Sequence, residues 1–185
     1  MSRRAHAVSL LLLLLCAIGC SAPAQNERRE VASRRKAGGV SVVYLVRHAE
    51  KARVRDGDDD PPLSAKGRAR ARALEERLAS VGLAAIYVTQ YQRTGETAAP
   101  LASRLGLTPQ ELPATDSTRL VQILRERHRG AQVLVVGHSN TIPEILAVLG
   151  VGTSVSIEDQ QYGDLFVVTL RDGEAACLSI EHVGE

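Results

Sequence analysis

The stretch Val42-Val43-Tyr44-Leu45-Val46 decides the fold class of this chain. It is a continuous apolar run, rich in β-branched residues, without the alternation of polar and apolar positions that marks a half-exposed strand. Such a run predicts a strand that is buried on both faces, as in a parallel sheet covered by helices. Two similar runs follow along the chain, Ala85-Ile86-Tyr87-Val88 and Val133-Leu134-Val135-Val136.

Helical patterns separate these strands. Ser64 is expected to open a helix that ends near Ser80 and buries one apolar face. Three more helices are predicted, over residues 94–105, from Asp116 or Ser117 through residue 129, and over residues 142–149. A hairpin of two strands is predicted over residues 165–170 and 176–180. This alternation predicts an α/β fold, a three-layer α/β/α sandwich with a mostly parallel central sheet.

The first twenty residues have the pattern of an export signal. Arg3 and Arg4 precede an uncharged, leucine-rich run over residues 8–19, and these 12 residues are too few to cross a bilayer core, which needs roughly 20. The run ends in Ala17-Ile18-Gly19-Cys20, which resembles the lipobox of bacterial lipoproteins, where the cysteine is acylated and becomes the new N-terminus.

We therefore expect a signal peptide over residues 1–19, a lipidated N-terminus and flexible tether over residues 20–39, and one domain over residues 40–185. The resemblance implies a protein of the bacterial cell envelope, anchored by lipid and facing the periplasm or the exterior. Ordinary secretory cleavage is the alternative, and it would leave a soluble secreted or periplasmic protein.

Composition excludes several classes of partner. Lys and Arg number 23 against 21 Asp and Glu, a balance that does not suggest a clamp for a nucleic-acid backbone. Phe166 is the sole phenylalanine and tryptophan is absent, so platforms for stacking bases are not expected. Cys16 leaves with the signal and Cys20 carries the lipid, so Cys177 has no disulfide partner, and its apolar neighbours predict a core position. We predict no nucleic acid, no protein partner, and membrane contact through the N-terminal lipid only.

Basic side chains collect where the three predicted strands end. Arg47 and His48 follow the first strand, Arg93 comes shortly after the second, and His138 follows the third. The carboxyl ends of parallel strands form the ligand-binding edge of such sheets, so these four residues are expected to meet there. Guanidinium groups match the geometry of phosphoryl oxygens, and a neutral imidazole nitrogen can attack phosphorus. The residues predict a phosphate pocket that needs no metal and no cofactor.

Four motifs in this region resemble those of the histidine phosphatase superfamily, which also contains cofactor-dependent phosphoglycerate mutases. They are Leu45-Val46-Arg47-His48-Ala49-Glu50, then Leu63-Ser64 with Gly67 and Arg68-Ala69, then Arg93-Thr94 with Thr97-Ala98, and Gly137-His138-Ser139-Asn140. The resemblance implies a phosphoglycerate mutase-like fold in a small single-domain bacterial member. It implies that His48 is the nucleophile that accepts the phosphoryl group. It also implies that the phosphoryl group is bound by Arg47, Arg93 and His138. Ala49 departs from the glycine that is more usual there and loses free access to positive φ.

The resemblance also implies a carboxylic acid between Arg93 and His138 that protonates the leaving group, although the smallest members of the family can lack one. The candidates are Glu96, Glu111 and Asp116. Asp116 is preferred because it stands in a loop just before a predicted helix, where capping that helix is the competing role. Asn140, at the start of another helix, is expected to help orient the phosphate.

Other charged residues near the motifs have less specific interpretations. Glu50 and Lys51 either contact substrate or pair with each other. Arg68, Arg70 and Arg72 are expected on an exposed helix face. The acidic run over residues 56–60 is expected in a solvated loop beside the pocket entrance, where it would favour small substrates over polyanionic ones.

A phosphatase is favoured over a mutase. The family's mutases carry sizeable insertions that enclose a phosphorylated acid, and the loops within residues 40–185 are too short for them. The sequence therefore predicts a metal-independent hydrolase that acts on a small phosphorylated substrate through a phosphohistidine on His48. The alternatives are an envelope lipoprotein that binds phosphate or a phospholigand without catalysis, and a purely structural envelope lipoprotein.

Overall fold

A computed structural model of the chain describes residues 39–53 and 59–184. The elements in chain order are β1 (Ser41–Arg47), α1 (Ala65–Leu78), β2 (Leu83–Val88), α2 (Gln92–Leu105), β3 (Gln110–Glu111), α3 (Ser117–Arg127), β4 (Gln132–Gly137), α4 (Thr141–Leu149), β5 (Asp164–Leu170) and β6 (Cys177–His182). The predicted signal peptide, the lipidation at Cys20 and most of the tether lie outside the described residues. No helix within the described ranges is long and apolar enough to cross a membrane.

The strands form a six-stranded sheet in the order β3-β2-β4-β1-β5-β6. Strands β3, β2, β4 and β1 run parallel to their neighbours in that order, whereas β5 and β6 pair antiparallel. The predicted mostly parallel sheet and C-terminal hairpin are therefore confirmed. The two-residue strand β3 was not predicted, because its exposed Gln110-Glu111 pair carries no apolar pattern.

Strand β1 is buried on both faces, and its alternation assigns the helices to two layers. Val43 and Leu45 belong to one apolar cluster with residues of α3 and α4. Tyr44 and Val46 belong to a second cluster with residues of α1 and α2. The predicted three-layer α/β/α sandwich is thus confirmed, with β1 beside β4 near the centre of the sheet.

The loop that follows β1 is fixed to α1 by an ion pair. Arg70 donates to the Glu50 carboxylate through Nε and Nη2, at 3.0 and 2.8 Å, and through Nη1 to the Val183 carbonyl oxygen at 2.7 Å. Burial acts to raise the pKa of Glu50, but the hydrogen bonds from Arg70 outweigh it and lower that pKa. Lys66, at 3.4 Å, also pairs with Glu50. Of the two roles considered for Glu50, contact with substrate stays a prediction, and its ion-pair partners are Arg70 and Lys66 rather than Lys51. The expected exposure of Arg70 is wrong, because Arg70 is buried and holds Glu50 in place.

Gly67 allows α1 to approach the loop that follows β1 closely. A Cβ atom at this position would overlap the Glu50 carbonyl oxygen, well inside van der Waals contact. Ser64 caps the same helix, since its hydroxyl accepts a hydrogen bond from the Gly67 N–H at 3.0 Å. The small residue and the cap together fix α1 against the segment that carries His48.

The C-terminal strand β6 forms an edge of the sheet, and its side chains are largely exposed. Cys177 lies on this strand and is exposed, so its predicted core position is wrong. Local apolar character misled the prediction, because β6 pairs with β5 alone and the sheet ends there.

Candidate active site

The four predicted pocket residues gather at the carboxyl edge of the parallel strands. Arg47 is the last residue of β1, His48 follows it, Arg93 lies in the first turn of α2, and His138 follows β4. The rings of His48 and His138 have centroids 5.2 Å apart. Arg47, His48 and His138 are buried, whereas Arg93 is partly exposed. These side chains therefore share one site, as the order of strands and motifs predicts.

His48 is held in one tautomer by the backbone. Its Nδ1 lies 2.8 Å from the Ala49 carbonyl oxygen, which can only accept, so Nδ1 carries the proton. Nε2 is then the ring nitrogen with a lone pair. A histidine in this state can act as a nucleophile without first losing a proton.

Ala49 fits at a position where the histidine phosphatase superfamily more often has glycine. No residue other than glycine has a positive φ in the described ranges, so Ala49 needs no left-handed backbone. Its N–H donates to Thr97 Oγ1 at 3.0 Å, and that hydroxyl donates to the Arg93 carbonyl oxygen at 2.7 Å. Thr97 thus joins the nucleophile segment to the helix that carries the second arginine.

Arg47 is positioned by the loop before β5. Its Nη1 donates to the carbonyl oxygens of Glu158, Asp159 and Gln161 at 2.9 to 3.0 Å. Its guanidinium carbon lies 4.2 Å from the ring centroid of Tyr162, a cation–π contact. Its Nε is buried and has no hydrogen-bond partner within the described residues. The Nη1 donor of the guanidinium is thus anchored, while its buried Nε donor has no partner among the described residues.

Arg93 is also held against a tyrosine ring. Its guanidinium carbon lies 4.2 Å from the ring centroid of Tyr91, and its Nη1 lies 3.3 Å from Asp60 Oδ1. Its Nε is likewise buried without a partner in the part of the chain that the structure describes. An unpaired buried donor carries a desolvation penalty of about 1–3 kcal/mol unless a ligand or water satisfies it. The two arginines therefore bring positive charge and unpaired N–H donors to the same edge of the sheet, a combination that suits an oxyanion.

His138 completes the site. Its backbone N–H donates to Thr141 Oγ1 at 2.8 Å, and its Nε2 lies 2.9 Å from Thr89 Oγ1. Thr141 is the first residue of α4, so the strand end and the helix start are joined through this histidine. The Tyr91 ring lies edge-on to the imidazole, with centroids 5.2 Å apart.

Both histidines are held neutral at physiological pH. Burial lowers the pKa of His48 to about 4, and the positive charges of Arg93 and Arg47 act in the same direction. Burial, Arg93 and Arg47 also lower the pKa of His138 to about 4, whereas Asp60 acts to raise it. The site therefore carries the charge of two arginines and two neutral imidazoles, a field suited to a phosphoryl dianion. Within the described ranges, no group of three or more His, Cys, Asp or Glu residues is placed to hold a metal ion.

The three candidate acids occupy different surroundings. Glu96 accepts hydrogen bonds from the Leu63 N–H at 2.7 Å and from Gln92 Nε2 at 2.6 Å, so both carboxylate oxygens are engaged. Glu111 is exposed on β3. Asp116 caps α3, accepting from the Arg119 N–H at 3.3 Å, and lines a small cavity together with Thr89 and Gly137. The capping role considered for Asp116 is present, and its role as proton donor stays a prediction.

Asn140 precedes α4 and is exposed, and its side chain makes no cap hydrogen bond. Its role in orienting phosphate stays a prediction.

Sequence reasoning gave no site role to Tyr91 or Tyr162, and it placed Asp60 only in a solvated loop beside the pocket entrance. Both carboxylate oxygens of Asp60 accept from the Gln92 N–H at 3.0 Å, so this residue caps α2 as well as facing Arg93. The position of Asp60 at the end of an acidic run concealed that role. Tyr162 lies 114 positions after His48 and has no motif around it, although their ring centroids are 6.2 Å apart.

The family model that describes the histidine phosphatase superfamily (branch 1) matches residues 43–118. This stretch contains the nucleophile segment and the second arginine, whose geometry is described above. Residues 43–118 are thus similar to the histidine phosphatase superfamily. This match supports the prediction of a phosphatase.

Solved structures with the same fold include several phosphatases. The chain matches the protein histidine phosphatase SixA complexed with tungstate at 19% identity and a TM-score of 0.64, over 76% of this chain and 96% of that one. It matches the alpha-ribazole phosphatase from Shigella flexneri at 15% identity and a TM-score of 0.63, over 76% and 96%. A mycobacterial glucosyl-3-phosphoglycerate phosphatase matches at 14% identity and a TM-score of 0.61, over 77% and 98%. At these identities, the likeness shows the fold.

Proposed function

We propose that this protein is a histidine phosphatase that hydrolyses small phosphomonoesters without a metal, through a phosphohistidine on His48. The observation that carries the proposal is the pair of buried, unpartnered Nε donors of Arg47 and Arg93 beside a neutral His48. A phosphoryl group is the ligand whose oxygens match guanidinium forks and whose negative charge complements them. Because the arginines supply this charge, the reaction needs no metal to bind or polarise the phosphoryl oxygens.

The proposed reaction has two transfers. His48 Nε2 attacks phosphorus, the bond from phosphorus to the ester oxygen breaks, and the alcohol leaves after gaining a proton. Water then attacks the phosphohistidine and gives a proton back to the carboxylate that protonated the alcohol, the bond from nitrogen to phosphorus breaks, and inorganic phosphate leaves. Arg47, Arg93 and His138 bind the phosphoryl oxygens through both steps, and Asp116 is the proposed donor of the leaving-group proton.

A small substrate is favoured by the surroundings of Arg93. Asp60 lies beside that guanidinium, and a second anionic group on the substrate would meet its carboxylate. The names of the structural neighbours agree on phosphatase chemistry but differ in substrate, including a protein histidine phosphatase and an alpha-ribazole phosphatase. These names support phosphate ester hydrolysis as the reaction class, and they do not identify the alcohol part of the substrate.

The proposal includes export and a lipid anchor at Cys20. It rests on the leucine-rich run and the Ala17-Ile18-Gly19-Cys20 motif, which resembles a lipobox. We propose that the protein is held at the bacterial cell envelope and faces the periplasm or the exterior. A Cys20→Ser variant is expected to remain unacylated and to leave the membrane fraction. Unchanged partitioning of that variant would contradict the anchor.

Phosphate release from a panel of phosphomonoesters, with EDTA present, tests the reaction. We expect EDTA-resistant turnover by the wild type and its loss in His48→Ala. His182→Ala is the matched control, because this exposed histidine lies on β6 and pairs with Asp164 rather than with the site. EDTA-sensitive turnover, or turnover retained by His48→Ala, would overturn the mechanism. Phosphate binding without turnover of any ester would favour the non-catalytic alternative.

A further inference from the structure

Two threonine hydroxyls connect His138 to the backbone. His138 Nε2 lies 2.9 Å from Thr89 Oγ1, and that oxygen lies 3.1 Å from Thr94 Oγ1. Thr94 Oγ1 is 2.8 Å from the Tyr91 carbonyl oxygen and 3.0 Å from the Thr89 carbonyl oxygen. Thr94 is fully buried, and it also accepts a hydrogen bond from the Thr89 N–H at 3.2 Å. The chain of hydroxyls is therefore fixed at its inner end.

The donors and acceptors assign a direction to this chain. A carbonyl oxygen can only accept, so the single proton of Thr94 goes to a carbonyl. Thr94 Oγ1 then accepts the proton of Thr89, and Thr89 Oγ1 accepts from His138. With this direction, each hydroxyl donates its one proton and every contact is satisfied. In the opposite direction Thr94 would donate to Thr89, and neither carbonyl oxygen would receive the Thr94 proton.

We propose that Thr89 is a positioning residue that fixes His138 as the Nε2–H tautomer, leaving Nδ1 to take up a proton when a phosphoryl group binds. The proposal deepens the proposed function and rests on it for the identity of the bound group. Within the described residues, no hydrogen bond engages Nδ1, so this atom remains for the ligand. Once protonated, Nδ1 donates a hydrogen bond to a phosphoryl oxygen while Nε2 keeps its bond to Thr89.

The charges around His138 explain why the proton arrives with the ligand. Burial acts against protonation of His138, as do the charges of Arg93 and Arg47, while Asp60 acts in its favour. The neighbouring rings of His48 and Tyr91 are the other titratable groups in contact with it. A bound dianion offsets the two guanidinium charges and therefore favours the imidazolium form. The proton comes from solvent or from a monoanionic phosphoryl group, so charge and atoms balance.

The inference makes two variants informative. Thr89→Val keeps the branched shape but removes the hydroxyl that accepts from Nε2. Thr89→Ser keeps the hydroxyl and removes a methyl group. If Thr89 acts through its hydroxyl, serine restores the property that valine abolishes, whereas a purely steric role would give the opposite ranking.

Nitrogen-15 NMR of the histidine side chains tests the tautomer directly on the wild-type protein. We expect His138 to be protonated at Nε2 alone near pH 7 and at both nitrogens when inorganic phosphate is bound. Protonation at Nδ1 alone in the free protein, or an unchanged state on saturation with phosphate, would overturn the inference. Neither readout requires an ester to be hydrolysed, so failure of the proposed reaction is distinguishable from failure of this inference.

Calorimetric binding of inorganic phosphate provides the second readout. We expect Thr89→Val to weaken binding about tenfold at pH 7, since a hydrogen bond to a charged group is lost. Its net proton uptake, measured in buffers of different ionisation enthalpy, is expected to fall as well. Thr89→Ser is expected to remain within about twofold of the wild type in affinity. Wild-type affinity and proton uptake in Thr89→Val would refute the role assigned to the hydroxyl.

Discussion

Acidification is expected to destabilise this protein through the two site histidines. In the unfolded chain each imidazole has a pKa near 6.5, whereas in the folded protein each has a pKa of about 4. Between these values the unfolded state binds more protons, so the free energy of unfolding falls as pH falls. At pH 5, about 1.5 units below the unfolded pKa, each histidine is expected to reduce stability by about 2 kcal/mol.

Urea unfolding of the purified protein, followed by circular dichroism at pH 7.5 and at pH 5, measures this effect. The matched control is the double variant His48→Gln, His138→Gln, which lacks both imidazoles but keeps the carboxylates that also titrate. We expect the wild type to lose about 4 kcal/mol more than the control between the two pH values. Parallel losses in the two proteins would refute the conclusion that burial and the arginine charges hold these histidines neutral.

Other substitutions test the supporting geometry. Gly67→Ala is expected to lower the free energy of unfolding by about 1–3 kcal/mol, because its Cβ would overlap the Glu50 carbonyl oxygen. Gly95→Ala, in α2 with open space around it, is the control and is expected to stabilise by about 0.5–1 kcal/mol in the same denaturation assay. Arg93→Lys is expected to lower kcat/KM about 10- to 100-fold, since the ammonium lacks the planar fork; wild-type kinetics would contradict that role. Asp116→Asn is expected to reduce kcat most for esters of poorly acidic alcohols. A small effect that is the same for all leaving groups would contradict the role of Asp116 as proton donor and would be consistent with its helix-capping role alone.

The sheet was predictable because burial on both faces leaves a direct mark on sequence. The runs around Leu45, Ile86 and Leu134 are apolar without alternation, and each became a parallel strand in contact with helices on both sides. The strand ends then located Arg47, His48 and His138 without any knowledge of long-range contacts. Periodicity and topology were therefore sufficient for the fold and for the residues at the strand ends.

Contacts between distant segments were not predictable in the same way. Arg70 was assigned to an exposed face because its neighbours are charged, yet its guanidinium is buried against Glu50 and the Val183 carbonyl oxygen. Tyr162 reaches Arg47 from a loop that has no periodic pattern. The predicted core position of Cys177 was wrong for the converse reason. Local apolar character does not reveal that a strand lies at the edge of a sheet. Long-range packing decides such cases, and a single sequence does not encode it as a local pattern.

Trapping of the covalent intermediate tests the central claim most directly. The protein would be mixed with a phosphorus-32-labelled phosphomonoester that it turns over, quenched within milliseconds in denaturant at alkaline pH, and mapped by proteolysis. We expect an acid-labile, base-stable label on the peptide that contains His48, absent from His48→Ala and present in the His182→Ala control. Turnover without any label on that peptide, or a label on another residue, would contradict nucleophilic catalysis by His48.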